Sequence, residues 1–125
     1  MNETDDLGLA KAWIALQHAE RRMKDGDARF EAHIALDELR TSDPERCWSV
    51  ILRIFEQDQS EKLLANLAAG PLEDLLATHG ERFIERVETL ARQEPRFRFT
   101  IQMVWRNTIS EPVWARLRKA ATLDP

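Results

Sequence analysis

Residues 67–80 decide the predicted fold, because they contain signals for both the end and the start of a helix. They read Leu67-Ala-Ala-Gly-Pro-Leu-Glu-Asp-Leu-Leu-Ala-Thr-His-Gly80. Glycine is favoured just after a helix, where the chain often takes a positive φ, and proline is favoured in a first helical turn, where its missing N–H costs little. We therefore predict that one helix ends at Gly70, that the next begins at Pro71, and that Gly80 ends it.

The same stretch holds the first candidate functional residues, Glu73, Asp74 and His79. In a helix that begins at Pro71, Glu73 is the third residue, so its carboxylate can reach back to the Gly70 amide and cap the helix. His79 can bond the free carbonyls at the helix end. The alternative is an acid–base pair of Asp74 and His79, although about 500° of helix rotation leaves their side chains well separated around the axis.

Glycine and proline divide the rest of the chain into apolar segments of helical period. We expect a first helix over residues 5–24, stopped by Gly26, and a second over residues 28–39. Ser42 and Glu45 predict a capping box at the start of a third helix that contains Pro44. Later helices are expected from residue 58 to 70, after residue 80, from residue 95 to 105 and after residue 110, with 95–105 as the central one.

The predicted fold class is all-α, a compact bundle of about seven or eight short helices in a single domain over residues 1–125. Hydrophobic residues make up 43% and charged residues 32% of the chain, as in ordinary globular domains. Serine, acid and proline open a helix at both residues 42–45 and 110–112, each time shortly before a tryptophan, which is compatible with stacked helical hairpins of the HEAT type. No apolar run approaches the ~20 residues of a membrane helix, and the N-terminus is acidic, so we expect no membrane association and a cytoplasmic location.

Basic side chains concentrate towards the C-terminus. Residues 1–62 carry 14 acidic and 9 basic side chains, whereas residues 63–125 carry 8 and 9. The candidate surface cations are Arg96, Arg98, Arg106 and Arg116, with Arg118 and Lys119 nearby. A clustered patch of this kind is typical of proteins that bind an acidic partner or nucleic acid. The other interpretation is an ordinary solvated helix face.

Familiar catalytic and cofactor patterns do not occur. The four glycines are too far apart for a phosphate-binding loop, and the three histidines lack metal-site spacing. Cys47 falls on an apolar helix face beside Trp48, which favours a buried, inert thiol. We expect no cofactor and no metal site, and nothing here favours an enzyme.

Four tryptophans each fall on an apolar helical stripe, which predicts that they are buried: Trp13, Trp48, Trp105 and Trp114. Arg106 and Arg116 lie close to the last two in sequence. The alternative is therefore that these two serve a protein interface or stack on nucleic acid.

The block from Leu67 to Leu76, the following His79-Gly80, and the later Val104-Trp105 and Val113-Trp114 resemble an uncharacterised family of small bacterial all-helical proteins, a domain of unknown function. The resemblance implies a bacterial origin and a helical fold. It implies no activity and no catalytic residue.

From these observations we expect a non-enzymatic module that binds another protein, such as an immunity-type or regulatory protein. A nucleic-acid-binding protein that uses the basic C-terminal end is the first alternative, and an unrecognised enzyme centred on Asp74 and His79 is the second. The apolar surface of short helices is also compatible with a homodimer.

Overall fold

The structure, a computed structural model, describes residues 3–19 and 28–122. Its elements are α1 (Glu3–Gln17), α2 (Ala28–Ser42), α3 (Pro44–Gln57), α4 (Glu61–Leu67), a π-helical turn (Ala68–Leu72), α5 (Glu73–Gln93), α6 (Pro95–Ile101) and α7 (Glu111–Ala121). These two ranges contain no strand, and the all-α prediction is confirmed. The predicted number of helices is slightly off, because residues 61–93 run on without a connecting loop; only a π-helical turn at Ala68–Leu72 and a kink at His79 separate the three predicted helices.

The chain divides into two compact units, Met1–Asn66 and Leu67–Pro125. The single domain and the HEAT-type stacking remain predictions. In the part of the chain that the structure describes, no helix has the length and apolar character needed to span a membrane.

In Met1–Asn66, the helices α1, α2 and α3 pack against one another. Their buried apolar side chains include Ala10, Trp13, Leu36, Ile51 and Ile54. A polar link also joins two of these helices: the carboxylate of Asp6 on α1 accepts hydrogen bonds from Arg46 Nε (2.6 Å) and Ser49 Oγ (3.0 Å) on α3. Because both oxygens of the buried Asp6 carboxylate have a partner, its charge is compensated within the unit.

The first helix ends earlier than predicted, at Gln17 instead of residue 24. The Ala19 N–H bonds the Leu16 carbonyl, only three residues back, and the His18 ring bonds the Asp58 carboxylate at 2.9 Å. The Ser60 N–H and, to a lesser degree, His18 lower the pKa of Asp58 below its ordinary value. The predicted stop at Gly26 lies outside the described residues.

The prediction of a capping box at Ser42 and Glu45 is also wrong. Helix α2 continues past the predicted residue 39 to Ser42, whose hydroxyl donates to the Glu38 carbonyl. The cap of α3 is Asp43, whose carboxylate accepts the Arg46 N–H at 3.2 Å. With Asp43 as the N-cap, Arg46 is the third helical residue and Glu45 the second, so Glu45 is not at the position that closes a capping box.

In Leu67–Pro125, the central helix is α5, which contacts the π-helical turn, α6 and α7. The prediction that residues 95–105 form one central helix is wrong, because α6 ends at Ile101. After that point the N–H groups of Met103 and Val104 bond carbonyls only three residues back, and the chain leaves the helix. Residues 102–110, which we call the 102–110 loop, then connect α6 to α7.

Candidate interaction site

The π-helical turn sets the direction of the Glu73 side chain at the start of α5. Gly70 and Pro71 lie inside this turn, so the predicted helix end and helix start at these residues are both wrong. Pro71 has no N–H and its ring would crowd the carbonyl four residues back in an α-helix, a conflict that the wider π-helical turn relieves. The Glu73 N–H bonds the carbonyls of Ala68 and Gly70, and the chain stays helical.

The prediction that Glu73 caps a helix through the Gly70 amide is wrong. The Glu73 side chain is buried, and its carboxylate bonds the 102–110 loop instead: Oε1 accepts the Trp105 N–H at 3.2 Å and Oε2 accepts Asn107 Nδ2 at 3.4 Å. A buried carboxylate is tolerated when hydrogen bonds compensate its charge. Glu73 therefore fixes the middle of the loop from within the protein.

Further bonds hold the 102–110 loop in one conformation. The Ile109 N–H bonds the Arg106 carbonyl at 2.7 Å, which closes a four-residue turn. Asn107 in this turn has φ of 43°, a left-handed conformation that asparagine adopts more readily than most residues. Val104 and Ile109 are buried on either side of the turn.

The fixed loop presents Trp105 to solvent. Its side chain is 74% exposed, so the prediction that this tryptophan lies in the core is wrong. The apolar period of residues 95–105 was misleading because the helix stops at Ile101 and the following residues no longer share its faces. Trp13 and Trp48 are buried as predicted, whereas Trp114 is half-buried on α7.

An open cleft of about 330 Å³ lies beside the loop, lined by residues 76–82 of α5 and by Thr108 and Ser110. His79 in its wall has non-helical angles (φ −133°, ψ 35°), which kink α5. The predicted helix end at Gly80 thus corresponds to a kink at the preceding residue, after which the helix continues. Gly80 faces α7, where a Cβ would lie only 2.9 Å from Val113 Cγ1, so its missing side chain lets the two helices meet.

The two residues of the predicted acid–base pair occupy different places. His79 is half-buried in the cleft wall, whereas Asp74 is exposed on the first turn of α5 and is not among the cleft residues. The Asp74 carbonyl accepts the Thr78 hydroxyl at 2.9 Å. Among the described residues, no group of three or more His, Cys, Asp or Glu side chains is arranged to hold a metal ion.

The four candidate arginines do not form one free cationic surface. Arg98 is buried, and its Nη1 donates to the Ala91 carbonyl at 2.6 Å. Arg116 on α7 forms a two-bond ion pair with Glu88 on α5, with Nε to Oε2 at 2.9 Å. This pairing lowers the pKa of Glu88 and raises the pKa of Arg116.

Arg96 and Arg106 are both exposed. The guanidinium carbon of Arg96 lies 4.9 Å from the centre of the Phe99 ring, and Arg106 Nε donates to the Ile109 carbonyl at 3.3 Å. Of the candidate cations, only Arg106 thus belongs to the loop that carries Trp105.

Sequence reasoning missed the 102–110 loop as the centre of the site. One signal was present: Asn107, directly after Trp105 and Arg106, is typical of turns with a left-handed residue. The partner of the Glu73 carboxylate lies more than thirty residues further along the chain, and no local pattern indicates such a contact.

Comparison with known proteins gives one match. A family model described as "Family of unknown function (DUF6869)" matches residues 18–124. No curated protein and no solved structure matches the chain.

Proposed function

The chain belongs to the DUF6869 family of unknown function, and we propose that it acts by binding another protein, with Trp105 at the centre of the contact. The observation that carries the proposal is the combination of a 74% exposed indole with a backbone that Glu73 holds in place. Tryptophan is enriched among the residues that dominate binding energy at protein interfaces. A surface that is already ordered loses less entropy on binding.

The arrangement of the loop supports this proposal over a connecting role alone. A simple connection between α6 and α7 needs neither a buried carboxylate nor a left-handed asparagine, both of which cost free energy. Here both serve to hold the segment on which Trp105 stands. Strain and buried charge of this kind are concentrated at functional sites in proteins.

The alternatives receive less support. Nucleic-acid binding requires several cations along one groove, but Arg98 is buried and Arg116 is paired with Glu88. An acid–base site of Asp74 and His79 requires both groups at one substrate, and only His79 lines the cleft. An immunity-type or regulatory role in a bacterial cytoplasm is the more specific form of this proposal; the family resemblance supports only the bacterial origin and implies no activity.

The test is affinity purification from the native host with the wild-type chain and with Trp105→Ala. We expect the wild type to recover a specific protein that Trp105→Ala fails to recover. Trp114→Phe is the matched control, because Trp114 is half-buried on α7 and is not part of the loop. Thermal melting of each variant must show that the fold is intact. The proposal fails if the wild type recovers no specific protein, or if Trp105→Ala recovers the same protein equally well.

A further inference from the structure

The residue next to Trp105 indicates the chemistry of the partner. Arg106 is the single charged residue in the 102–110 loop, and its side chain is exposed like that of Trp105. Neighbouring Cα atoms lie about 3.8 Å apart, so one short segment of a partner can contact both side chains. The loop surface thus combines an apolar aromatic group with a positive charge.

The guanidinium of Arg106 is held in position by its own turn. Its Nε donates to the Ile109 carbonyl at 3.3 Å, and the same turn is closed by the bond from the Ile109 N–H to the Arg106 carbonyl. Within the described residues, no hydrogen bond from the two Nη groups of Arg106 to the protein is present. A guanidinium with its Nη groups available can bind a carboxylate through two parallel hydrogen bonds.

The Glu73 carboxylate, which bonds the same loop, does not pair with Arg106. Both Glu73 oxygens are bonded within the loop, to the Trp105 N–H and to Asn107, and the side chain is buried. Since no carboxylate of the described residues is bonded to the Nη groups of Arg106, these groups are available to a carboxylate of another molecule. Opposite charge on that molecule would also guide its approach to the loop.

We infer that Trp105 and Arg106 bind an acidic segment of a partner protein, in which an Asp or Glu stands within a few residues of a large apolar side chain. The apolar side chain packs on the Trp105 indole, and the carboxylate binds the Nη groups of Arg106. This inference rests on the proposed protein-binding function. An aromatic beside an arginine also suits single-stranded nucleic acid, but such ligands need further cations along their phosphates. Of the other candidate arginines, Arg98 is buried and Arg116 is ion-paired with Glu88.

The experiment selects peptides from a displayed library of random linear sequences against the full chain at physiological salt. We expect the selected peptides to carry an Asp or Glu within a few residues of an aromatic or large aliphatic residue. Affinities of a selected peptide are then measured for the wild type, Trp105→Ala, Arg106→Gln and Arg106→Glu. We expect Trp105→Ala and Arg106→Gln each to weaken binding by at least about tenfold, as at interface hot spots.

Reversing the charge at Arg106 distinguishes direct contact with the peptide from an effect of the substitution on the loop structure. Arg106→Glu should prefer a version of the selected peptide in which lysine replaces the acid, reversing the wild-type order. Arg118→Gln is the matched control and should bind like the wild type, because Arg118 lies over a different tryptophan, 5.7 Å from the centre of the Trp114 ring.

The following outcomes of the same experiment would overturn the inference. It fails if no peptide is enriched, if the selected peptides lack acidic residues, or if Arg106→Gln and Arg106→Glu bind as the wild type does. Binding of a single-stranded oligothymidine with higher affinity than the selected peptides would also overturn it. If Trp105→Ala abolishes peptide binding but the Arg106 variants do not, the acidic partner is excluded while the proposed function stands. If Trp105→Ala has no effect, the proposed function fails as well.

Discussion

The Glu73 carboxylate, at the start of α5, accepts the backbone N–H of Trp105 at 3.2 Å across 32 residues of sequence. This bond joins a buried acid to the backbone of an exposed tryptophan. Glu73 therefore contributes both to the stability of the loop and to the presentation of the indole.

Glu73→Ala should lower the free energy of unfolding by about 1–3 kcal/mol, because it leaves the Trp105 N–H and the Asn107 amide without their acceptor. Glu73→Gln keeps one acceptor oxygen and should lose less. Chemical denaturation measures the stability, and hydrogen exchange should show faster exchange of the Trp105 amide. The control is Glu81→Ala at an exposed position of the same helix, where a change within about 0.5 kcal/mol is expected. Equal losses at both positions would contradict this role of Glu73.

Gly80→Ala should destabilise the protein by about 1–3 kcal/mol, since the new methyl group would lie 2.9 Å from Val113 Cγ1. Valine is stiff at χ1 in a helix, so its methyl groups cannot turn away cheaply. Gly8→Ala in α1 is the matched control: its Cβ meets no atom within 4 Å, and the better helix propensity should stabilise by up to about 1 kcal/mol.

A double mutant separates this contact from other effects of Gly80→Ala. Adding Val113→Ala makes room for the new methyl group, so the double mutant should lose less stability than the two single mutants together. Purely additive losses in urea denaturation would show that the two side chains do not meet.

Arg98→Ala should lower the free energy of unfolding by about 1.5–3 kcal/mol, because the buried guanidinium bonds the Ala91 carbonyl near the end of α5. Arg96→Ala, two residues earlier, removes an exposed cation over the Phe99 ring and should cost about 0.5–1 kcal/mol. Thermal melting compares the two variants. A larger loss for Arg96→Ala would mean that Arg98 is not a structural residue.

The Glu88–Arg116 pair makes stability depend on pH in a defined direction. Arg116 lowers the pKa of Glu88 from its ordinary value of 4.5, so the folded protein takes up this proton less readily than the unfolded chain. The contribution of the pair is therefore complete above about pH 4.5 and is lost as the pH falls through the folded-state pKa of Glu88.

Arg116→Gln removes this contribution, so the variant should be less stable than the wild type at neutral pH. The difference between their urea midpoints should shrink as the pH falls below 4.5. Arg118→Gln, which changes a cation over Trp114 instead, serves as the control without this pH dependence. A difference between wild type and Arg116→Gln that stays constant with pH would disprove the linkage to Glu88.

The helical class was predictable because apolar residues repeat at helical spacing, and buried positions such as Ile51, Ile54, Phe83, Ile84 and Val87 follow that period. The glycine and proline residues were less informative about where helices begin and end. Gly70 and Pro71 carry strong end and start signals, yet the π-helical turn accommodates both. Gly80 reads as a helix end, although its role is the contact with Val113. At Gly80 tertiary packing overrides the local preference, whereas at Gly70 and Pro71 a local change of helix type accommodates both residues.

The candidate site was also only partly predictable. Glu73, His79 and Arg106 were singled out from the sequence, and the structure places Glu73 under the loop, His79 in the cleft and Arg106 on the loop. Their roles depend on contacts between distant segments, which spacing along the chain does not show. Trp105 was assigned to the core because its apolar spacing continues that of α6, although α6 ends four residues before it.

Asn107 limits which amino-acid substitutions the 102–110 loop tolerates during evolution. Its left-handed backbone disfavours nearly every residue except glycine, asparagine and aspartate, and its side chain also donates to Glu73 Oε2. Glycine would keep the backbone and lose the donor, whereas aspartate would bring a second negative charge towards Glu73. Asparagine meets both requirements, so we expect a replacement of Asn107 in related chains to be accompanied by a replacement of Glu73.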